Sequence, residues 1–108
     1  MVGAPSQALA GSNGQQVRVC PSYKLSYGSA FVTGYNQNGE WSVSHGVQLG
    51  DASTGTYAAS GGCAVVYGFW WIGDVSIYWY KSDGSFYQRT TCNVPKWNPF
   101  TDTKRCDA

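Results

Sequence analysis

The sequence predicts an all-β domain on three observations. From Val17 onward, short runs of alternating apolar and polar residues are separated by Gly, Asn, Asp and Ser at fairly regular intervals. No apolar pattern of helical period extends beyond about one turn. Four cysteines in a chain of 108 residues favour two disulfides as covalent support for a small core. The predicted fold is an antiparallel β-sandwich, or a small open barrel, of about seven short strands.

The first residues differ in composition from the rest of the chain. Residues 1–16 are small and polar, with too little apolar mass to pack, so we expect a flexible N-terminal tail. A single β domain should follow at 17–108. Its strands are expected at about 16–20, 29–36, 40–49, 55–59, 63–72, 74–81 and 85–92.

Residues 63–80 form the most aromatic part of the chain, with seven aromatic residues and one charge, Asp74. Gly73-Asp74 lies between two apolar runs, which favours a two-residue type II′ turn. Such a turn would pair Ile72 with Val75, and the pairing would extend from there along both strands. The sequence therefore predicts an aromatic β-hairpin here.

Strand alternation sorts the side chains of this hairpin onto two faces. The predicted core face carries Val66, Trp70, Ile72, Val75, Ile77 and Trp79. The opposite face carries Tyr67, Phe69, Trp71, Ser76, Tyr78 and Tyr80. Aromatic rings with polar tips suit a surface that is half wet or meets a partner, so we expect the second face to bind.

Asn38-Gly39 supplies the positive φ angles that a tight hairpin demands. A two-residue turn at this position would put Trp41 and Val43 on the same side as Val32, which we take as the core side. The opposite side would carry Phe31, Thr33, Tyr35, Ser42 and Ser44.

Asp83-Gly84 is a similar turn signal, but two forms of it are possible. A two-residue turn and a three-residue loop with a bulge both fit the sequence. The choice decides which face of the sheet Tyr87 and Arg89 take, because a shift of one residue reverses every side chain.

The four cysteines allow three disulfide connectivities. We favour Cys20 with Cys63 and Cys92 with Cys106, because the second pair would tie down a tail that is poor in strands. Two prolines between the last two cysteines forbid regular ladder pairing, so residues 92–106 are predicted to form a disulfide-closed Pro/Trp loop. Disulfides in turn indicate an oxidising compartment and a secreted protein.

Charge and hydropathy exclude two classes of partner. Charged residues are 12% of the chain and the net charge is +1, so there is no basic field to hold nucleic acid. No apolar run approaches the length of a membrane span. No Asn-x-Ser/Thr sequon occurs, which favours a bacterial source over a eukaryotic secretory one. We expect an extracellular protein that binds neither nucleic acid nor membrane.

The sequence offers little for catalysis. His45 is the only histidine, and alternation places it beside Trp41 and Val43 as a partly buried structural imidazole. No Gly-x-Ser-x-Gly elbow nominates a serine nucleophile, and the cysteines are better used in bridges. The six carboxylates lie mostly in predicted turns or the tail, where they usually cap backbone, so a glycosidase pair such as Glu40 with Asp51 is disfavoured. We expect no enzymatic activity, no cofactor and no metal.

Protein binding best explains the aromatic residues that core packing leaves over. Core packing accounts for Trp41, Trp70 and Trp79 but not for the second face of the hairpin. Aromatic residues and arginine dominate energetic hot spots, and a disulfide-closed loop lowers the ordering cost of association. We predict a binder of an extracellular protein, either a hydrolase inhibitor or a component of an antagonistic toxin assembly. The expected contacts are Lys96, Trp97, Phe100 and Arg105 at the loop, and Tyr67, Trp71, Tyr78 and Tyr80 as a second patch.

Two alternatives stay open. In the first alternative, Trp97 and Phe100 fold back as a lid on an open end of the sandwich. In the other, the protein is a carbohydrate-binding, lectin-like module in which flat rings stack on sugar faces. That platform would consist of Tyr67, Trp71 and Tyr78, with Ser76, Gln88 or Arg89 at its edge.

Overall fold

The computed structural model describes residues 14–21, 27–49 and 62–108, which form eight strands and no helix. This confirms the all-β prediction, while the expected strand at 55–59 and most of the expected tail lie outside the described residues. The first strand begins at Gln15, so the last two residues assigned to the tail belong to it. The strands are β1 (Gln15–Cys20), β2 (Tyr27–Tyr35), β3 (Trp41–Val43), β4 (Val47–Gln48), β5 (Ala64–Trp71), β6 (Gly73–Lys81), β7 (Phe86–Val94) and β8 (Thr103–Asp107).

The strands are arranged in two sheets, as expected for a small β-sandwich. The three-stranded sheet has the order β5-β1-β8, and the five-stranded sheet has the order β3-β2-β6-β7 with β4 also paired to β2. Among these strands only β1 and β8 run parallel. Residues 103–107 therefore form a strand where we expected a continuous loop, and the loop between β7 and β8 is confined to residues 95–102.

Both disulfides have the predicted connectivity. Cys20, at the end of β1, is bridged to Cys63, just before β5, and this bond links neighbouring strands of one sheet. Cys92 of β7 is bridged to Cys106 of β8, and this bond links the two sheets. The second bridge thus crosses the sandwich at the strands that flank the loop 95–102.

The core lies between the sheets. From the three-stranded sheet it contains Val17, Val19, Val66, Trp71 and Cys106, and from the five-stranded sheet Ala30, Val32, Val75, Ile77, Trp79 and Val94. The indole N–H of Trp79 donates to Oγ1 of Thr90 (2.7 Å), so this buried ring keeps a partner for its polar atom. Alternation along β6 agrees with the sequence prediction, since Val75, Ile77 and Trp79 are buried.

The predicted aromatic hairpin is wrong, because the chain changes sheets at Gly73. Strand β5 pairs with β1, whereas β6 pairs with β2 and β7, so Ile72 and Val75 do not face each other across a turn. The φ angle of Gly73 is 85°, a value that glycine adopts readily and that suits a sharp corner as well as a type II′ turn. Long-range pairing decides between the two outcomes.

A bulge at Gly68 reverses the predicted faces at the end of β5. Residues 67–70 lie between two paired positions of β5, and β1 has only Gln16 in the matching interval. The φ angle of Gly68 is 86°, which lets the extra residues turn aside. Alternation restarts after the bulge, so Trp71 is fully buried and Trp70, expected in the core, is only half-buried.

The Asn-Gly turn after β2 is one residue longer than predicted, which reverses the face of β3. The N–H of Asn36 donates to the carbonyl of Glu40 (2.9 Å), closing a three-residue loop. Trp41 then lies opposite Tyr35 and is 60% exposed, so its predicted place in the core is wrong. Val43 is exposed for the same reason.

The Asp-Gly turn between β6 and β7 takes the longer of its two possible forms. The N–H of Lys81 donates to the carbonyl of Ser85 (2.9 Å), and the register then shifts so that Arg89 lies opposite Tyr78. The hydroxyl and the N–H of Ser85 donate to the Asp83 carboxylate (2.6 and 2.8 Å), and these bonds lower the pKa of Asp83.

Candidate binding surface

The loop 95–102 presents two exposed aromatic side chains of the predicted site, and one of them, Phe100, is the most exposed of the predicted aromatic residues. Phe100 is 92% exposed and Trp97 is 57% exposed, and Lys96 beside them is exposed as well. The side-chain carbonyl of Asn98 accepts from the N–H of Phe100 (2.8 Å), which shapes the tip of the loop. Both rings are more than half exposed, so they do not form the buried lid that the alternative requires.

Both ends of this loop are bonded to residues 14–16, at and just before the start of β1. The N–H of Gly14 donates to the carbonyl of Lys96 (2.8 Å), and the N–H of Gln16 donates to the carbonyl of Asp102 (2.9 Å). Between them, the fully buried side chain of Gln15 donates to the first carbonyl of the loop (3.1 Å). With the disulfide between β7 and β8, these bonds fix the base of the loop while its tip stays exposed.

The second predicted patch is not one surface. Trp71 is fully buried, so it cannot contact a partner, and its assignment as a binding residue is wrong because of the bulge at Gly68. Tyr67 is 68% exposed on the three-stranded sheet. Tyr78 and Tyr80 lie on the other sheet and face away from the core. The platform expected for carbohydrate is therefore split between two sheets and the core.

Tyr78 and Tyr80 instead belong to a different aromatic surface. We call it the outer aromatic face, and it consists of Phe31, Tyr35, Trp41, Tyr78, Tyr80 and Phe86. Phe31 stacks on Tyr78 with 4.8 Å between ring centroids and 7° between planes, and Phe86 meets Tyr80 edge-on at 5.6 Å. Because these rings cover one another, less flat ring surface is open to a ligand.

The outer aromatic face could be assembled only in part from the sequence. Alternation in the segment 29–36 does predict that Phe31 and Tyr35 share a face, and the structure agrees. Their contact with Tyr78 depends on the pairing of β2 with β6, which joins distant parts of the chain. Local patterns carry no signal for that pairing.

His45 lies in the link between β3 and β4 and is exposed, not partly buried as predicted. Its Nε2 lies 3.3 Å from the carbonyl oxygen of Tyr67, and its Nδ1 lies 3.3 Å from that of Gly46. The imidazole also meets the ring of Phe69 edge-on, with 5.6 Å between centroids. These contacts attach the link to β5, which is a structural use of the side chain.

Within residues 14–21, 27–49 and 62–108, no group of three or more His, Cys, Asp or Glu side chains is placed to hold a metal ion. In the same part of the chain, no helix is long and apolar enough to cross a membrane. The two disulfides fit an extracellular or otherwise oxidising setting.

Comparison with protein-family models, curated proteins and solved structures finds no match for this chain. Two surfaces of the structure are candidates for binding, the loop 95–102 and the outer aromatic face. The loop holds highly exposed rings on a fixed backbone, whereas several rings of the outer aromatic face pack on one another.

Proposed function

We propose that this protein is a secreted, non-catalytic binder of an extracellular protein, acting through the loop 95–102 as a hydrolase inhibitor or as part of an antagonistic toxin assembly. The observation that carries the proposal is the 92% exposure of Phe100 on a loop whose base is fixed. Full burial of such a side chain in a partner's pocket contributes about 1.5–3 kcal/mol. Trp97 beside it adds a second ring of the kind that forms hot spots.

The fixed backbone of the loop supports the same conclusion. Association is opposed by the entropy of ordering loops and side chains, and a loop that is already ordered avoids part of this cost. Here the disulfide and the three hydrogen bonds from residues 14–16 hold the loop before any partner arrives. Lys96 precedes Trp97 in the loop, and Arg105 lines a pocket together with Thr101 of the loop, so both suit a partner with an acidic rim.

The use of the reactive side chains supports a non-catalytic role. All four cysteines are in disulfides, so none is available as a thiolate. Both ring nitrogens of His45 lie against main-chain carbonyls. The side chains that most often act as nucleophile or base are thus used to hold the fold.

Carbohydrate recognition is the second candidate, and it would use the outer aromatic face. Trp41 and Tyr35 are 60% and 54% exposed, and the neighbouring carboxylate of Glu40 offers an acceptor for hydroxyl groups. Their rings meet at 77°, so they do not form the flat platform that sugar stacking uses. This geometry favours protein over carbohydrate as the ligand.

Affinity capture with two matched tryptophan variants tests the proposal. The oxidised protein is immobilised, culture fluid and extracts of neighbouring species are passed over it, and retained proteins are identified after a high-salt wash. Trp97→Ala and Trp41→Ala remove rings of similar exposure, 57% and 60%, from the loop and from the outer aromatic face. We expect the wild type and Trp41→Ala to retain one and the same protein, and Trp97→Ala to lose it.

Two other outcomes would change the conclusion. If Trp97→Ala and Phe100→Ala both retained the partner as well as the wild type does, the loop would be removed from the proposal. Carbohydrate recognition would be supported instead if the wild type retained only polysaccharide and Trp41→Ala lost it. Sugar at roughly millimolar concentration should then also quench the tryptophan fluorescence.

A further inference from the structure

Two arginines lie side by side on the outer face of the three-stranded sheet. The parallel register of β1 and β8 places Arg18 opposite Arg105, and both side chains are exposed. Their neighbours Val17, Val19 and Cys106 point to the opposite side and are buried. Like charges directly opposite each other on adjacent strands are destabilising, so a negative charge beside this pair would stabilise it.

The acids of the described residues compensate only one of the two charges. Nε of Arg105 donates to Oδ1 of Asp107 (2.8 Å). Arg18 has no carboxylate oxygen within ion-pair distance in the described part of the chain. The nearby acid Asp102 accepts from the hydroxyl of Thr103 (2.9 Å) instead. Arg18 therefore keeps five N–H donors and Arg105 keeps the four on its terminal nitrogens.

A small, partly open pocket lies beside the two arginines. Its volume is about 160 Å³, and it is lined by Arg18, Thr101, Thr103 and Arg105. This is close to the roughly 150 Å³ that accommodates a benzene-sized molecule. A carboxylate fits such a space, and a guanidinium presents its donors in a planar fork that matches carboxylate geometry.

We propose that Arg18 and Arg105 bind a carboxylate, and that this group is an acidic side chain of the protein partner. The assignment of its source rests on the proposed function. Thr101 lines the cavity and directly follows Phe100 in the loop 95–102, so the anion site and the exposed ring are adjacent. The partner then combines an apolar pocket for Phe100 with an Asp or Glu side chain at its edge.

Titration of the protein alone with acetate tests the site itself. The Nε–H signals of the arginines are followed by NMR in ¹⁵N-labelled protein, with chloride keeping the ionic strength constant. We expect saturable shifts at Arg18 and Arg105 in the wild type, and their loss in Arg18→Gln. Arg89→Gln is the control, because it removes an exposed arginine from β7 on the other sheet. Shifts that are linear in acetate and equal in the wild type and Arg18→Gln would overturn the site.

Binding of the captured partner tests the source of the carboxylate. Arg18→Gln should weaken this binding about tenfold and reduce its dependence on salt, whereas Arg89→Gln should leave both unchanged. Arg18→Gln could bind the partner as tightly as the wild type while Trp97→Ala fails to bind it. This result would overturn the carboxylate contact and leave the proposed function standing. The wild type could capture no protein while its Arg18 and Arg105 signals still respond saturably to acetate. This result would overturn a protein partner as the source and assign the site to a free carboxylate.

Discussion

The corner between the two sheets and the loop 95–102 use aromatic side chains in opposite ways. At the corner, residues 68–73, Trp71 is fully buried and stacks on Phe69 with 5.5 Å between ring centroids. The loop instead exposes Trp97 and Phe100 to solvent. At the corner, side-chain burial stabilises an unusual backbone conformation. In the loop, hydrogen bonds and the disulfide fix the backbone that carries the exposed side chains.

This difference separates stability from binding. Burial of apolar side chains is the dominant favourable term in folding, and Trp71 is among the largest buried side chains, so changes at the corner should lower stability. Exposed rings contribute little to folding and are available to a partner. Substitutions at the corner should therefore unfold the protein more easily, and substitutions at the loop tip should change only its binding.

Replacement of Trp71 should have the largest effect. Trp71→Ala leaves a cavity between the sheets and should lower the free energy of unfolding by about 3–5 kcal/mol, as measured by urea denaturation under oxidising conditions. Trp71→Phe should cost less, because the indole N–H of Trp71 has no hydrogen-bond partner among the described residues and removing it breaks no bond. An alanine variant as stable as the wild type would contradict the place of Trp71 in the core.

Removal of the disulfide that closes the loop should rank second. The bridge joins residues 14 apart, and the double variant Cys92→Ala, Cys106→Ala should lose about 3 kcal/mol of unfolding free energy. Hydrogen exchange of the amides in 95–102 should accelerate, and affinity for the partner should fall as the loop becomes more mobile. Unchanged exchange in the double variant would show that the bonds to β1 hold the loop alone.

Gly68→Ala should have an intermediate effect, because its φ of 86° is unfavourable for any residue with a Cβ. The expected loss is about 1–2 kcal/mol of unfolding free energy. Gly46→Ala is the control, since a Cβ there would lie 3.9 Å from the nearest carbonyl oxygen, an ordinary contact. If both variants lost the same free energy, the bulge would not require glycine and the reversal at Trp71 would need another cause.

Composition and the pattern of short strands were sufficient to predict the fold class. The favoured disulfide pairing was also correct, although the tail that it was expected to tie down contains the strand β8. Alternation along β6 was also correct, because that strand has no bulge within its buried part. The errors arose where an odd number of extra residues changes the register, three in the bulge of β5 and one in the Asn-Gly turn. The bulge at Gly68 moved Trp71 inward, and the extra residue in the Asn-Gly turn moved Trp41 outward. Two-fold periodicity cannot detect such insertions, since a shift of one residue exchanges the faces.

The sites were predictable in so far as they depend on local sequence. Proline positions and the two cysteines were enough to predict a closed loop carrying Trp97 and Phe100. The pair of Arg18 with Arg105 was not predictable, because β1 and β8 lie at opposite ends of the described chain and pair in parallel. The outer aromatic face has the same origin in distant strand pairing. Contacts of this kind follow from topology, which local patterns do not specify.

Phe100→Ala should have the smallest effect on stability and a large effect on binding. A ring that is 92% exposed contributes little to the core, so the free energy of unfolding should stay within about 0.5 kcal/mol of the wild type. Affinity for the captured partner should fall by about tenfold or more, since the variant removes an apolar anchor.

Phe86→Ala is the matched control for this variant, because Phe86 is 53% exposed and packs on the outer aromatic face. Phe86→Ala should leave partner affinity unchanged. It should lower the free energy of unfolding more than Phe100→Ala does, because it removes the contact between the rings of Phe86 and Tyr80. The opposite order, with Phe100→Ala the less stable of the two, would mean that the loop tip supports the fold. The division of roles between corner and loop would then fail, because the same ring would serve both stability and binding.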